Sequence, residues 1–240
     1  VSDTTVANAI RDIILPLGFV PSTTLTAGAL VGDTVLTVAN GGVFPLSAPL
    51  VFADAHGERR IPIASTDTTT ITLDTANIGL SSGLQFAHAS GTTVYSNLYV
   101  GMPIAFGDLT PTGWPAISVM VMGEDERQVT IPNGYENSHV VHVGYTVRLS
   151  PPNGSGINPN VWALEQQDLA RVELEAIAAA LRANNRLITA SGNHAIDLGA
   201  AGSPGETRIR KDWSRLTGDY DVLSFTAAML VFVRERPIPV

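Results

Sequence analysis

The sequence predicts an α+β protein: a mainly antiparallel sheet with helices on one face, interrupted by an inserted all-β barrel domain. Three observations predict it. Two segments with helical spacing flank the chain's middle. From about residue 99 the chain carries long strands, one of them with clean apolar alternation. Between the first helix and those strands, residues 22–98 shift to Thr, Gly, Ala, Val and Ser with few charges. The bounds are therefore 1–21 and 99–240 for an outer domain and 22–98 for the insert. With 240 residues the chain can bury a sizeable core.

Residues 3–17 are predicted as a helix. Val6, Ile10, Ile13, Ile14 and Leu17 form one stripe. Asp3 can cap it, because a short side-chain oxygen accepts a free first-turn N–H. Gly18 can close it. In the insert, strands are expected near Thr24–Leu30, Thr34–Ala39, Ala48–Ala53, Arg59–Ala64, Thr68–Leu73 and Gly91–Tyr95. Asn40-Gly41, Asp54 to Gly57 and Ser81 to Gly83 supply turn chemistry. Short strands this close suggest a small barrel or sandwich. A faint echo joins Phe52-Ala53-Asp54-Ala55-His56-Gly57 to Phe86-Ala87-His88-Ala89-Ser90-Gly91; it is too short for a repeat.

Beyond the insert, Trp114 to Met122 reads as a buried strand led in by Pro115. Glu124-Asp125-Glu126 reads as a charged turn. Val141, Val143, Tyr145, Val147 and Leu149 share one strand face, and His142, Gly144, Thr146 and Arg148 the other. Residues 161–184 form the strongest helix. Its seam is Ala170, Leu174, Ile177 and Leu181, widened by Leu169, Val172, Ala176 and Ala179. Asn160 is its expected N-cap. A Gly-rich loop, Gly192 to Gly205, precedes a strand at Thr207–Trp213. Asp221–Arg234 is a long strand, apolar on both faces toward its end and so central in the sheet.

Composition narrows the function. Charged residues are 15% of the chain, below the usual share for a globular surface, which points to surface covered by other chains. Net charge is -8 and the pI about 5.0, against a dedicated nucleic-acid grip. Thirteen Arg stand against one Lys, Lys211. Arg suits interfaces because its planar fork directs several hydrogen bonds; a GC-rich genome gives the same skew. Without Cys there is no disulfide or thiolate chemistry. No signal peptide and no bilayer-spanning run is read, so the chain is expected to be made and used in soluble form, without a membrane partner.

The residues suggest no catalysis, cofactor or metal. The five His are His56, His88, His139, His142 and His194. His139 and His142 are three apart on a strand, hence on opposite faces, and the others read as turn or surface residues. Nucleophile-elbow, Walker and zinc-protease signatures are absent. Gly199–Gly205 precedes a strand, so it makes a poor phosphate cradle. Glu124, Asp125 and Glu126 are consecutive, whereas calcium loops alternate ligands with spacers. Arg208, Arg210 and Lys211, with Arg215 nearby, form a basic group suited to a subunit salt-bridge patch.

The outer domain resembles the tail-terminator (tail-completion) proteins of long-tailed phages. The resemblance rests on element order and character: a first helix like Val6–Leu17, a Pro-led aliphatic strand like Trp114–Met122, an alternating strand like Val140–Leu149, an Ala/Leu helix like Leu164–Leu181 and a closing strand like Phe225–Val233. It covers about two-thirds of the chain. The insert is similar to small β-barrel modules of phage tail, neck and baseplate proteins. The resemblance implies a structural, non-enzymatic virion protein, made in host cytoplasm and residing at the head-tail junction. It implies a homo-hexameric ring that ends tail-tube growth, contacts the tail tube protein and joins the head connector, with DNA only passing through the lumen. In that picture Arg208, Arg210 and Lys211 face a neighbouring subunit, and Glu124, Asp125 and Glu126 line the lumen. Other head-tail adaptor, tube or baseplate roles stay open, as does a glycan-binding role for the insert.

Overall fold

The computed structural model describes residues 3–54, 61–75, 83–101, 115–128, 135–152, 154–184, 186–188, 194–198, 209–219 and 222–237. The chain divides into two compact units. One is Val20–Leu98 together with residues 107–114; the other takes the remaining residues on both sides. Helix α1 (Asp3–Ile14) opens the chain and tightens into a 3-10 turn, Leu15–Leu17. Gly18, at φ 75°, closes that turn. Val6, Ile10 and Ile14 are fully buried.

The unit Val20–Leu98 holds six short strands: β1 (Ser22–Thr24), β2 (Val35–Thr37), β3 (Pro49–Phe52), β4 (Ile61–Thr66), β5 (Thr70–Leu73) and β6 (Thr93–Tyr95). Their order is β1-β6-β3-β4-β5-β2, every pairing antiparallel. The edges β1 and β2 are linked by a single bridge, Leu25 to Val38. Thr26 N donates to Thr37 O at 3.0 Å and Ala39 N to Thr24 O at 2.9 Å. One bridge is less than a ladder, so the strands form a curved sheet with touching edges. The first strand is shorter than the expected Thr24–Leu30: past Thr24 the chain keeps only isolated bridges, at Leu25 and Ala29.

The core follows from strand alternation. Leu36, Leu50, Phe52, Ile61, Ile63, Ile71 and Val94 point inward into one apolar cluster. Two glycines are required where backbones meet. Gly83, at φ 77°, lies so close to the carbonyls of Gly32 and Asp33 that a Cβ would overlap both. Gly41 meets the β4–β5 turn: a Cβ there would overlap the carbonyl of Asp67 and lie 2.6 Å from that of Thr70. The Asn40-Gly41 pair thus serves close approach rather than positive φ. The ends of the unit are adjacent, with Ser96 N donating to Pro21 O at 3.0 Å.

The second sheet contains β7 (Leu98–Val100), β8 (Ala116–Gln128), β9 (Tyr135–Arg148), β10 (Arg186–Ile188), β11 (His194–Leu198), β12 (Ile209–Asp219) and β13 (Val222–Pro237); helix α2 (Pro159–Ala183) lies between β9 and β10 in sequence. The order is β10-β11-β13-β9-β8-β7, and β12 also pairs with β13. The pairings β10–β11, β11–β13, β12–β13, β9–β13 and β8–β9 are antiparallel. β13 is central, as its two apolar faces suggest: β9 lies on one side, β11 and β12 share the other. α1 packs on β8, α2 on β9 and β13, and the helices touch each other. Val141, Val143, Tyr145 and Val147 are buried with Phe225, Met229 and Val231 from β13.

Four expectations are corrected. Glu124, Asp125 and Glu126 are not a turn: they pair within β8 against His139, Ser138 and Asn137 of β9. The ladder simply runs longer than its apolar part. The loop Gly192 to Gly205 is not wholly irregular, because β11 pairs with β10 and with the end of β13, Val233–Pro237. The α2 cap is Asn158, not Asn160. Its Oδ1 accepts from Asn160 N at 2.9 Å, and Pro159 takes the first helical position, where no N–H is needed. Finally, Leu169 and Val172 do not widen the buried seam of α2. They are 38% and 63% exposed.

Candidate functional site

The basic residues marked by the sequence divide. Arg208 lies outside the described residues. Arg210 and Lys211 occupy β12 opposite Leu230 and Met229. Neighbouring strand positions alternate faces, so Arg210 holds a position on the helix-free side of the sheet and Lys211 one on the helix side. Arg215 pairs with Thr226, two pairs further along the same face as Arg210, past an irregularity between Asp212 and Arg215. Among the described residues β12 pairs with β13 alone, so it is a sheet edge. β9 (Tyr135–Arg148), by contrast, is interior: β8 and β13 flank it.

Most of the titratable groups are structural. Among the described residues no three His, Asp or Glu gather in a way that could hold a metal ion. His139 is buried and His142, on the opposite strand face, is half-buried. His88 is not a surface residue: it is 3% exposed. Its ring stacks on Phe52 with centroids 3.8 Å apart, and its Nδ1 lies 2.5 Å from Asp54 Oδ2. The two partners occupy matching places in the faint sequence echo. The pair fastens the segment before β6 to the end of β3. The nearby Ser90 hydroxyl donates to Thr26 O at 3.1 Å, a turn contact rather than a nucleophile aimed at His88. A cleft of about 550 Å³ at the start of α2 is lined by Leu149, Pro151, Pro152, Ile157 and Pro159 among others, and among the described residues its lining holds no titratable side chain.

The unusual surface is α2. Its buried residues are Ala170, Leu174, Ile177, Ala178 and Leu181. At about 100° per residue, Val161, Leu164, Leu169 and Val172 fall on the opposite side. They are 48%, 64%, 38% and 63% exposed. A helix of a finished globular surface carries charge on that side. Here Glu165, Asp168, Arg171, Glu175 and Arg182 lie between and beside the apolar residues. Arg171 donates to Asp168 at 3.1 Å and sits 5.6 Å over the Phe225 ring, so it is held toward the sheet. Glu173, half-buried, has its carboxyl pushed above the ordinary range by burial. Tyr145 is pushed above the ordinary phenol range, chiefly by burial and then by the charge of Glu173. A helical wheel over residues 161–172 carried the signal for this outward stripe; pooling all apolar residues into one seam hid it.

No protein-family model and no curated protein matches this sequence. Among the described residues no helix is long and apolar enough to cross a membrane.

Proposed function

We propose that the chain is a structural protein of a phage particle, forming a ring at the head-proximal end of the tail tube, where it ends tube growth and joins the head connector. The observation that carries the proposal is the make-up of the unit outside Val20–Leu98. A first helix, a long antiparallel hairpin, an Ala/Leu helix and a closing central strand form one sheet with both helices on one side. That is the element order of the tail-terminator proteins the sequence resembles. Low charge and the exposed stripe of α2 add support, since both call for covering by other chains.

A ring suits these features physically. A heterologous contact that closes on itself satisfies every subunit without growing a fibre. The edge strand β12 offers one pairing surface. An acidic chain with net charge -8 lines a passage for DNA without gripping it. Glu124, Asp125 and Glu126, carried on the far end of the β8–β9 ladder, are assigned to that passage, and Arg208, Arg210 and Lys211 to the subunit boundary.

The test is electron microscopy of the purified chain together with particles lacking it. Rings in the first, and headless tails of irregular length in the second, are the expected results. A monomer in solution that also decorates only the distal tail tip would remove the proposal. Rings that stack into continuous tubes would favour a tube protein instead.

A further inference from the structure

We propose that Asn40-Gly41 is a latent deamidation site, held inert by the β4–β5 turn and released when that turn opens. Glycine has no Cβ to hinder its nitrogen, so an Asn-Gly pair is intrinsically reactive. In the reaction the Gly41 nitrogen attacks Asn40 Cγ and a new carbon–nitrogen bond closes a succinimide ring. The side-chain nitrogen leaves as ammonia, taking the Gly41 amide proton. Water then opens the ring at either carbonyl and leaves aspartate or isoaspartate at position 40. Water is the only co-reactant.

The fold blocks the first step through the backbone. Asn40 is extended, at φ -154° and ψ 100°. That turns the Gly41 nitrogen away from the Asn40 side chain, whereas ring closure needs it nearly eclipsed with Cβ. The Gly41 N–H donates to Thr68 O at 3.0 Å. Gly41 Cα lies hard against the carbonyls of Asp67 and Thr70, so the peptide has no room to rotate. Asn40 N donates to Thr23 Oγ1 at 3.0 Å, which fixes the other end of the pair. Asn40 is exposed while Gly41 is buried, so water and ammonia have access and the backbone alone is restrained.

The restraining groups Asp67, Thr68 and Thr70 belong to one turn. Asp67 holds it, its carboxylate accepting from Thr69 N and Thr70 N at 2.7 Å. Asn40 therefore reacts at its intrinsic rate multiplied by the fraction of time the turn is open. The change is one-way. Isoaspartate adds a methylene to the main chain beside Gly41 and displaces its N–H from Thr68 O. The pair is a permanent record of opening in the insert.

The test incubates the full chain at neutral pH, in buffer and in unfolding guanidinium chloride, and follows peptides spanning position 40 by mass spectrometry. The unfolded chain supplies the intrinsic rate, with Asn133-Gly134 and Asn153-Gly154 as references within it. Native wild type is expected to react at position 40 more than about a hundredfold more slowly than the unfolded chain, a ratio equivalent to about 2.8 kcal/mol of local opening energy. Equal rates overturn the proposal. Asp67→Ala removes the carboxylate that holds the turn and is expected to raise the native rate by more than about tenfold. A folded Asp67→Ala chain that reacts as slowly as wild type overturns the turn as the lock. A second measurement needs wild type alone, so it decides the matter even if that variant fails to fold. Below the unfolding transition, deamidation at position 40 and hydrogen exchange of the Gly41 amide are expected to rise together with denaturant, because one opening exposes both. Deamidation that rises while the Gly41 amide stays protected overturns the proposal.

Discussion

The two units solve the same burial problem differently. In Val20–Leu98 every strand but β1 sends alternate apolar residues into one shared cluster, Leu25 joins it just after β1, and the ends of the unit are hydrogen-bonded together. Its exposed apolar residues, such as Leu30, Val31 and Val35, sit on a tight turn and an edge strand. In the other unit the sheet is covered by α1 and α2, yet α2 turns a second apolar stripe to solvent. Both units therefore leave apolar residues exposed, but the insert scatters them over turns and edges, whereas its host gathers four of them on one helix.

The largest expected effect breaks the insert alone. Gly83→Ala forces a Cβ against two backbone carbonyls at a positive φ that L-residues rarely adopt. Backbone cannot yield as a flexible side chain would, so the cooperative melting of Val20–Leu98 should be lost. Both α-helices belong to the other unit, so the helical circular dichroism signal should remain. If the helical signal falls along with the insert, the units are not independent.

The next effect separates the two faces of α2. Leu174 is fully buried, and Leu174→Ala should cost about 2–5 kcal/mol through lost transfer energy and a cavity. Leu164 is 64% exposed, and Leu164→Ala should change monomer stability by less than about 0.5 kcal/mol. Denaturant titrations of dilute protein check both. Equal losses would mean that the outward stripe is part of the monomer core.

The same contrast decides what was legible in the sequence. Alternation exposed β9 because one of its faces is buried against helices, and Val141, Val143, Tyr145 and Val147 record that directly, whereas β13 was legible from apolar residues on both faces. It failed for Glu124, Asp125 and Glu126. There the strand is held by its ladder with β9, and pairing leaves no hydropathy period to read. β11 was hidden for a related reason: five residues, His194–Leu198, inside a Gly-rich stretch become a strand only because the end of β13 lies beside them. The α2 cap was misplaced by two residues because both Asn158 and Asn160 carry the right side chain. Pro159 was the deciding clue, since it fits the first helical position. The His88–Asp54 contact joins residues 34 apart, and no local pattern encodes such a meeting.

The smallest effect sets the units against each other through pH. Asp67 lies in the β4–β5 turn of the insert. Its carboxylate accepts from Thr69 N and Thr70 N at 2.7 Å and from the Thr70 hydroxyl at 2.8 Å. These bonds hold its pKa below the ordinary carboxylate value, the Thr69 backbone N–H contributing most. Glu173, in the other unit, is shifted the opposite way by burial. The signs follow from proton linkage. A lowered carboxyl adds stability above its unfolded-state value, about pH 3.9 for Asp, and loses it as pH falls through the folded value. A raised carboxyl leaves the folded state holding the extra proton, so stability declines as pH rises from the unfolded value, about 4.3 for Glu, through the folded one. Asp67→Asn should therefore destabilise the insert at neutral pH and have less effect in acid. Glu173→Gln should match wild type in acid and be the more stable protein at neutral pH. Removing the Glu173 charge also removes the lesser of the two causes that raise Tyr145, so the Tyr145 phenol should titrate lower in the variant than in wild type. Melting curves collected across pH for both variants test the pair of signs. If Glu173→Gln proves less stable than wild type at neutral pH, its carboxylate is making a favourable contact in the folded unit, and the seat of α2 on the sheet holds charge more comfortably than its burial implies.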